Sequence, residues 1–442
     1  MSKRLEHLFW PLSFLACALL YLPALNGQPI WDDLAYWVYN PEMKYSFFRI
    51  WREFSWPLSM SVQKSLLDLF GEQYWIDHVL GLLLHFLNSY LVYRLAKKLE
   101  WPKPRWLFLL FLFHPANVIS VAWMIQIKTL LCFLFAILSF FTFEKGLQDK
   151  KWLLPAFMLF AFSMLSKSAS VTIPILFFFY AYKKLHNRKW LYLTALVFLT
   201  FSVWEGHKLL SSPVTQNVAN AHANFDRVET VAKTTRFYFW QSVLPFNTAP
   251  VKGRQPITFE TLDYVTPIFL LAVMVVSKDP LMLATLTSGL LLLVPFLGFV
   301  YAPFMAITWV SDQHLYLALP FLLTAWIYFL NRTAPRYLNA TLIIVLALFT
   351  LKTAATSFYF SDEDHFYQAN LKADPGNVVM VFNYANTLAY HDRTNEAYQI
   401  ATALHDKAEK EPELKSAAKY QELEDLRIKL IEFRNYKFNQ HD

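Results

Sequence analysis

Long apolar stretches separated by polar turns run through most of the chain and stop about 90 residues before its end. A transmembrane helix needs roughly 20 mostly apolar residues to cross about 30 Å of hydrocarbon. By this criterion the sequence predicts eleven spans, at residues 8–25, 76–95, 105–122, 127–144, 152–166, 170–183, 189–206, 264–277, 280–300, 315–331 and 336–352. The predicted fold class is therefore all-α, a polytopic transmembrane helical bundle.

The loops between these spans alternate in charge. Lys and Arg gather at the amino terminus and in every second loop, which places those loops in the cytoplasm. The remaining loops, including the long ones at 26–75 and 207–263, then face outward. With an odd number of spans the carboxyl-terminal segment also lies outside. A short tail without a retention signal favours a bacterial inner membrane, with this face toward the periplasm.

The second long outer loop contains one periodic segment. From Phe225 to Leu244, residues such as Val231 and Tyr238 recur at helical spacing, opposite Lys233 and Arg236. This pattern is typical of an amphipathic helix that lies along the membrane interface with a basic face.

The last 90 residues have a different pattern, and we divide the chain into a membrane domain at 1–352 and an extracytoplasmic domain at 353–442. A helix closes before a turn at Pro375 and Gly376, and residues 378–404 alternate small and large packing positions around a polar turn. This resembles a tetratricopeptide repeat, with a further helix at 412–433. An ordinary appendage of three or four helices remains the alternative. Either one supplies a surface for protein contact.

Composition sharpens this division. The chain is 56% hydrophobic and 17% charged, which excludes an ordinary soluble protein. The tail holds 10 of the 40 basic and 15 of the 33 acidic residues, so the membrane domain is basic and the tail acidic. The basic excess belongs to membrane topology and does not indicate a nucleic-acid partner. Cys17 and Cys132 lie in apolar runs, which excludes a disulfide framework and a cysteine zinc site.

Polar residues that are expensive near lipid gather at the outer ends of the spans. Asp32 and Asp33 follow the first span; because they are adjacent, their side chains point in different directions. One can face a cavity while the other orients the loop, and helix capping is the alternative. The other candidates are His114, Lys128, Lys167, Arg236, Asp312 and His314. Acids and bases at one membrane face indicate a cavity that opens outward.

Several motifs carry a resemblance to a family. They are Trp31-Asp32-Asp33, WPLS at 56–59, HVLGLLLHFLN at 78–88, HPANVISVAWMIQIKTLL at 114–131, SKSASVTIPILFF at 166–178 and SDQHLYLALP at 311–320. In this order they resemble the transmembrane and tetratricopeptide-repeat O-mannosyltransferases, of the C-type (GT-C) glycosyltransferase superfamily. The chain departs from that family where it has Ile127-Lys128-Thr129 for Arg-Lys-Asp and Asp312-Gln313-His314 for Asp-Arg-Tyr. Missing Arg groups alter how a phosphate is held.

The resemblance implies an inverting transferase that moves a sugar from a polyprenyl-phosphate donor to a Ser or Thr hydroxyl of a protein outside the membrane. We expect Asp33 to be the general base, with Asp32 as the alternate. The candidates for binding the donor phosphate or sugar are Lys128, Lys167, Arg236, His314, Asp312 and His114. Asp312 would orient His314 or bind a sugar hydroxyl. The tail would hold the acceptor polypeptide, and membrane lipids surround the body.

We expect no metal cofactor, although Asp32, Asp33 and Asp312 would suit a divalent cation as the alternative. No Gly-rich nucleotide loop occurs, as expected when the sugar arrives on a lipid. Three other functions stay open: a transferase of the same fold that moves a glycan or modifies a lipid, a transporter, and a non-catalytic scaffold that binds partners through its tail. Transporters usually place charges or broken helices near the midplane, whereas this chain places them at one face.

Overall fold

The computed structural model describes residues 3–38, 40–44, 46–182, 188–211, 216, 226–245, 247–253, 262–417 and 419–438. Within these ranges the regular structure is helical, with no strand. The α-helices are α1 Lys3–Leu25, α2 Phe47–Glu53, α3 Pro57–Phe70, α4 Trp75–Lys98, α5 Pro104–Leu112, α6 Val118–Ala122, α7 Ile127–Gly146, α8 Leu153–Ser166, α9 Ile173–Tyr182, α10 Arg188–Leu210, α11 Arg227–Gln241, α12 Leu262–Val276, α13 Pro280–Leu293, α14 Leu319–Thr333, α15 Leu338–Ser357, α16 Glu363–Ala373, α17 Val378–Tyr390, α18 Thr394–Lys410 and α19 Tyr420–Phe438. The predicted all-α class is confirmed.

A helix occupies each of the eleven predicted spans. In the described part of the chain, four helical segments are long and apolar enough to cross a membrane alone: His7–Leu25, Trp75–Lys98, Met124–Gly146 and Leu338–Phe360. A fifth is added if α5 and the segment Pro115–Ala122, which meet at 51°, form one broken span. The apolar segments Ser168–Tyr182, Asp263–Val276 and Pro280–Phe296 are shorter. The fold is that of a polytopic membrane protein, and the number of eleven spans stays a prediction.

The break between α5 and α6 follows from the sequence. Pro115 disfavours helical backbone at His114, and the chain leaves the helix there with φ −75° and ψ 125°. The imidazole Nδ1 of His114 then accepts a hydrogen bond from the Ala116 amide at 3.1 Å, which caps the new turn. Pro115 thus divides the predicted span 105–122 into α5 and α6, with a side chain capping the turn between them.

Buried polar side chains join the helices of the bundle. His85 on α4 contacts the Tyr316 hydroxyl through Nδ1 at 2.8 Å and the Leu112 carbonyl through Nε2 at 3.0 Å. Asn88, one turn further on, donates to the Leu130 carbonyl at 3.0 Å. In hydrocarbon such groups must find internal partners. These two residues therefore have a structural role.

The predicted interfacial helix differs from expectation. It spans Arg227–Gln241, while Phe225 lies outside the described residues. Its basic residues do not form one exposed face: Lys233 is buried and pairs with Glu229, Arg236 is half-buried, and Arg227 is exposed. Thr234 donates to the Leu297 carbonyl at 2.7 Å, and Tyr238 is fully buried. The helix is packed into the protein; the spacing of apolar residues does not distinguish lipid from protein as the partner.

The tail forms four helices, α16 to α19. Asn377 caps α17 by accepting from the Met380 amide at 3.2 Å, after the turn predicted at Pro375 and Gly376. The α17–α18 hairpin has its turn where the sequence predicts it, and Ala401 and Leu404 are buried. The last helix begins at Tyr420 and not at 412, because residues 412–416 form a 3-10 turn. Its identity as a tetratricopeptide repeat stays a prediction.

Candidate functional site

Asp33 is a buried anchor of the first long loop. Its Oδ2 accepts from the Ile30 amide at 3.0 Å, and its Oδ1 accepts from the Ile125 amide at 2.7 Å. These bonds tie the loop to the 3-10 turn Met124–Gln126 instead of capping the helix that follows. Burial raises the pKa of Asp33 to about 8, against the effect of the two amides. Both carboxylate oxygens thus already have partners.

Asp32 differs from Asp33 because its described contacts include no hydrogen bond from a backbone amide. The side chain is half-buried and interacts electrostatically with Lys128, at the start of α7. Burial raises the pKa of Asp32, while the ammonium of Lys128 opposes that shift. The ammonium itself lies over the ring of Trp56, 4.3 Å from its centroid. This pair places a carboxylate beside a cation at the loop end of the bundle.

A second cation lies in the turn after α8. Lys167 Nζ donates to Thr129 Oγ1 at 2.8 Å and to Gln126 Oε1 at 3.5 Å. Burial and the neighbouring charge of Lys128 lower the pKa of Lys167 to about 7. The two lysines therefore repel each other in a partly desolvated place, which favours an anion between them.

His314 completes the group. It interacts electrostatically with Lys167 and Lys128, and burial together with these cations keeps its pKa well below the usual range, so the ring is neutral. The ring stacks on Phe296, with centroids 3.9 Å apart, and its Nδ1 lies 3.1 Å from the Tyr238 hydroxyl. We name Asp32, Lys128, Lys167 and His314 the acid–base cluster.

Asp312 has partners other than the expected one. Its Oδ2 accepts from Lys252 Nζ at 2.8 Å and its Oδ1 accepts from Gln241 Nε2 at 2.9 Å, with both charged side chains almost fully buried. The sequence predicts that Asp312 orients His314 or binds a sugar hydroxyl. In the structure Tyr238 holds that ring, and Asp312 pins the loop that carries Lys252. In the sequence, Tyr238 is marked only by its position in the periodic segment 225–244. That position is equally typical of a residue that packs in the core.

Two predicted residues have partners outside the cluster. Arg236 pairs with Asp263 through Nη1 at 2.7 Å, near the start of α12. His114 is fully buried; its Nε2 contacts the Ser242 carbonyl at 3.1 Å, while Nδ1 caps the turn described above. Both ring nitrogens of His114 are engaged by backbone, so this geometry does not support a role in phosphate binding.

The carboxylates suggested for a cation do not form a metal site. Across the described ranges, no three His, Cys, Asp or Glu side chains come together in a group that could hold a metal ion. Asp33 is engaged by two amides and Asp312 by Lys252. The metal independence of the protein stays a prediction.

The tail lies against the same end of the bundle as the cluster. Phe366 on α16 contacts Trp31 and Trp123, with ring centroids 6.3 and 6.0 Å away. Asn377 donates to the Ile307 carbonyl at 2.9 Å. A surface cavity of about 400 Å³ lies instead at the opposite end of α4, lined by Tyr93, Lys97, Lys103, Pro104, Arg105 and Trp106. It is remote from the cluster and takes no part in it.

These features define an all-α membrane protein with a group of desolvated ionisable side chains at one end of its bundle. Residues 57–204, about a third of the chain, match the family model of the dolichyl-phosphate-mannose-protein mannosyltransferases, a domain of the GT-C type. This match supports a membrane mannosyltransferase that uses a lipid-linked sugar. No curated protein and no solved structure matches the chain.

The matched segment contains only part of the candidate site. Lys128, Lys167 and His114 lie within it, whereas Asp32 and Asp33 precede it. The remaining candidates, Arg236, Asp312 and His314, follow it. The roles of the residues outside the match therefore depend on geometry alone.

Proposed function

We propose that this protein transfers a single sugar, mannose by analogy with the matched family, from a polyprenyl-phosphate donor to a Ser or Thr hydroxyl of a polypeptide. The reaction takes place on the outer face of the membrane and inverts the anomeric centre. The observation that carries the proposal is the acid–base cluster: the half-buried carboxylate of Asp32 interacts with Lys128, and Lys128 in turn interacts with the partly desolvated Lys167, at one end of a membrane bundle.

Asp32 is the general base in this proposal, and Asp33 is its support, which reverses the order expected from the sequence. A base must reach the hydroxyl proton with a free oxygen. Asp33 uses both oxygens for backbone amides, whereas the described contacts of Asp32 leave its carboxylate facing Lys128. The acceptor oxygen attacks the anomeric carbon as its proton passes to Asp32.

The leaving group is the polyprenyl phosphate, which departs with the electrons of the bond between the anomeric carbon and the phosphate oxygen. Negative charge grows on that oxygen, so preorganised cations stabilise the transition state. Lys128 and Lys167 supply this charge. When the Tyr238 hydroxyl donates to Nδ1 of His314, the proton of the neutral ring lies on Nε2, which can donate to the same phosphate.

The acceptor polypeptide approaches past the tail. The tail contributes the surface of α16 and α17, which lies at the cluster end of the bundle. The polyprenyl chain remains in the lipid beside the bundle. The compartment we propose is the periplasmic side of a bacterial inner membrane.

Purified protein in liposomes tests the proposal. Polyprenyl-phosphate-mannose labelled in the sugar is supplied with a Ser/Thr-rich peptide, and mass spectrometry follows the peptide. We expect a gain of one hexose, which is lost in Asp32→Asn. An unmodified peptide together with labelled lipid products would favour the lipid-modifying alternative, and untouched donor would favour the scaffold. Full transfer by Asp32→Asn would refute the base assignment.

A further inference from the structure

We infer that helix α16 of the tail fixes the backbone of Trp31 and thereby positions Asp32, so that the tail is a structural part of the catalytic site. The part concerning activity rests on the proposed function. The part concerning Trp31 does not, since it concerns a packing contact. Phe366 is the positioning residue through which α16 acts.

The conformation of Trp31 is the first observation. Its φ is +47°, in the left-handed region that bulky side chains rarely adopt. Such backbone persists only where the surroundings hold it, and it gathers at functional sites. Trp31 is the residue directly before Asp32, so its dihedral angles set the direction in which the Asp32 side chain leaves the backbone.

The partners of Trp31 come from two distant parts of the chain. Its ring stacks on Trp123, with centroids 5.7 Å apart and planes at 14°. Phe366 contacts both indoles at about 6 Å and is itself fully buried. The Trp123 indole N–H also points to the Ile30 carbonyl at 3.4 Å. Both indoles of this stack belong to the membrane domain, and the Phe366 ring of the tail closes it.

The helix that carries Phe366 is tied to the body by polar contacts as well. Asn370, one turn after Phe366, accepts from the Val251 amide at 2.8 Å and is almost fully buried. That amide belongs to the loop of Lys252, whose ammonium binds Asp312. Tyr367, the neighbour of Phe366, interacts electrostatically with Asp32. The tail thus contacts the loop of Asp32 and the loop that carries Lys252.

Asp32 is consequently held from both sides. Asp33 is locked by two backbone amides, and Trp31 is locked by the aromatic stack. Without Phe366, Trp31 is free to relax to a negative φ, and the Asp32 carboxylate turns away from Lys128. A misplacement of about 1 Å at a reacting group is enough to reduce the rate about a hundredfold.

The test compares three variants of the full chain: Phe366→Ala, the apolar replacement Phe366→Leu, and Leu404→Ala as control. Leu404 is buried among the later tail helices, so its truncation loosens the tail without touching the aromatic stack. Steady-state kinetics give kcat and KM for the peptide. The ¹⁹F spectrum of protein labelled with 5-fluorotryptophan reports the environment of Trp31, whose resonance is assigned as the one that disappears in Trp31→Phe.

We expect Phe366→Ala to shift the Trp31 resonance and to lower kcat by tenfold or more, with peptide KM nearly unchanged. Phe366→Leu should restore most of kcat and most of the wild-type position of the Trp31 resonance. It also replaces Phe366→Ala as the test variant if the alanine variant does not fold. Leu404→Ala leaves both near wild type. An unmoved Trp31 resonance in Phe366→Ala, or an equal loss of kcat in Leu404→Ala, overturns the inference.

The two proposals fail in different ways. If the wild-type protein transfers no sugar, the proposed function fails, and the resonance still decides whether Phe366 fixes Trp31. If the wild type is active and the resonance shifts while kcat is kept, the proposed function stands and the link from Trp31 to Asp32 is refuted.

Discussion

Both ends of the helical bundle carry cations, but these cations differ in their exposure to solvent. At the end of Asp32, Lys128 is 9% exposed and lies over an indole, and Lys252 is buried against a carboxylate. At the opposite end, Lys151 is 72% exposed and Lys98, which pairs with Glu144, is 43% exposed. The same residue type is desolvated at one end and hydrated at the other.

This difference separates topology from chemistry. A hydrated lysine costs little and directs membrane insertion, so its exact position matters less than its side of the membrane. A desolvated lysine is unfavourable unless it is paired or used. The desolvated cations at the Asp32 end therefore indicate function. Matched substitutions of lysines at the two ends, compared by their effect on kcat, test this difference.

The largest expected effect is that of the two adjacent carboxylates. Asp32→Asn should lower kcat for peptide mannosylation by about a thousandfold, as is typical for loss of a general base, with little change in thermal stability. Activity assays in liposomes and melting curves in detergent measure the two quantities on the same preparation.

Asp33→Ala is the matched comparison. It leaves the amides of Ile30 and Ile125 without acceptors, at a cost of about 1–3 kcal/mol for each buried group. We expect a lower melting temperature and a smaller loss of kcat than in Asp32→Asn. The opposite order, with Asp33→Ala inactive but stable and Asp32→Asn active, would restore Asp33 as the base.

The next effect concerns the lysines. Lys128→Gln should lower kcat about a hundredfold, because one stabilising group for the developing phosphate charge is lost. The double variant Lys150→Gln/Lys151→Gln at the opposite end should keep near-wild-type kcat once inserted. Initial rates normalised to the inserted protein check both. An equal loss of kcat in Lys128→Gln and in Lys150→Gln/Lys151→Gln would show that desolvated and hydrated lysines do not differ in function.

The buried ion pair gives a prediction about stability. Lys252→Met leaves the carboxylate of Asp312 buried with only Gln241 as a described partner. Breaking such a pair from one side costs about 3–5 kcal/mol, whereas replacing both partners by apolar residues is often nearly neutral. The melting temperature should therefore fall in Lys252→Met and largely recover in Lys252→Met/Asp312→Leu. If the double variant melts no higher than the single one, the pair does not act as a unit.

The sequence predicted the helices better than their partners. Apolar length and loop charge were enough to place a helix at all eleven stretches and to locate the turns of the tail. The same information did not show that Lys233 is buried, because an apolar stripe packs equally well on lipid and on protein. Lys233 therefore does not belong to an exposed basic face, whereas Arg227 of the same helix is exposed.

The candidate site shows the same limit. The position of Asp32, Lys128, Lys167 and His314 near the ends of predicted spans was visible in the sequence, but their neighbours were not. Which of two adjacent carboxylates is anchored depends on the Ile125 amide, which is 92 residues away in the chain. The contact of Phe366 with Trp31 crosses an even longer separation and has no local signal.

The smallest expected effect, and the most specific, is a pH dependence. Lys167 has a pKa lowered to about 7, so the group is protonated below pH 7 and neutral above it. Only the protonated form stabilises the leaving phosphate. The ratio kcat/KM for the lipid donor should therefore fall above pH 7, approaching tenfold per pH unit, while the raised pKa of Asp32 limits the rate on the acid side.

Lys167→Arg distinguishes this explanation from a general loss of protein at high pH. A guanidinium stays charged throughout the accessible range, so the alkaline decline should move up or vanish even if the maximal rate is lower. Lys151→Arg, a substitution at the hydrated end, should leave the pH profile as it is. An alkaline limb that is unchanged in Lys167→Arg would show that another group titrates there, and the contrast between the two ends would then rest on burial alone.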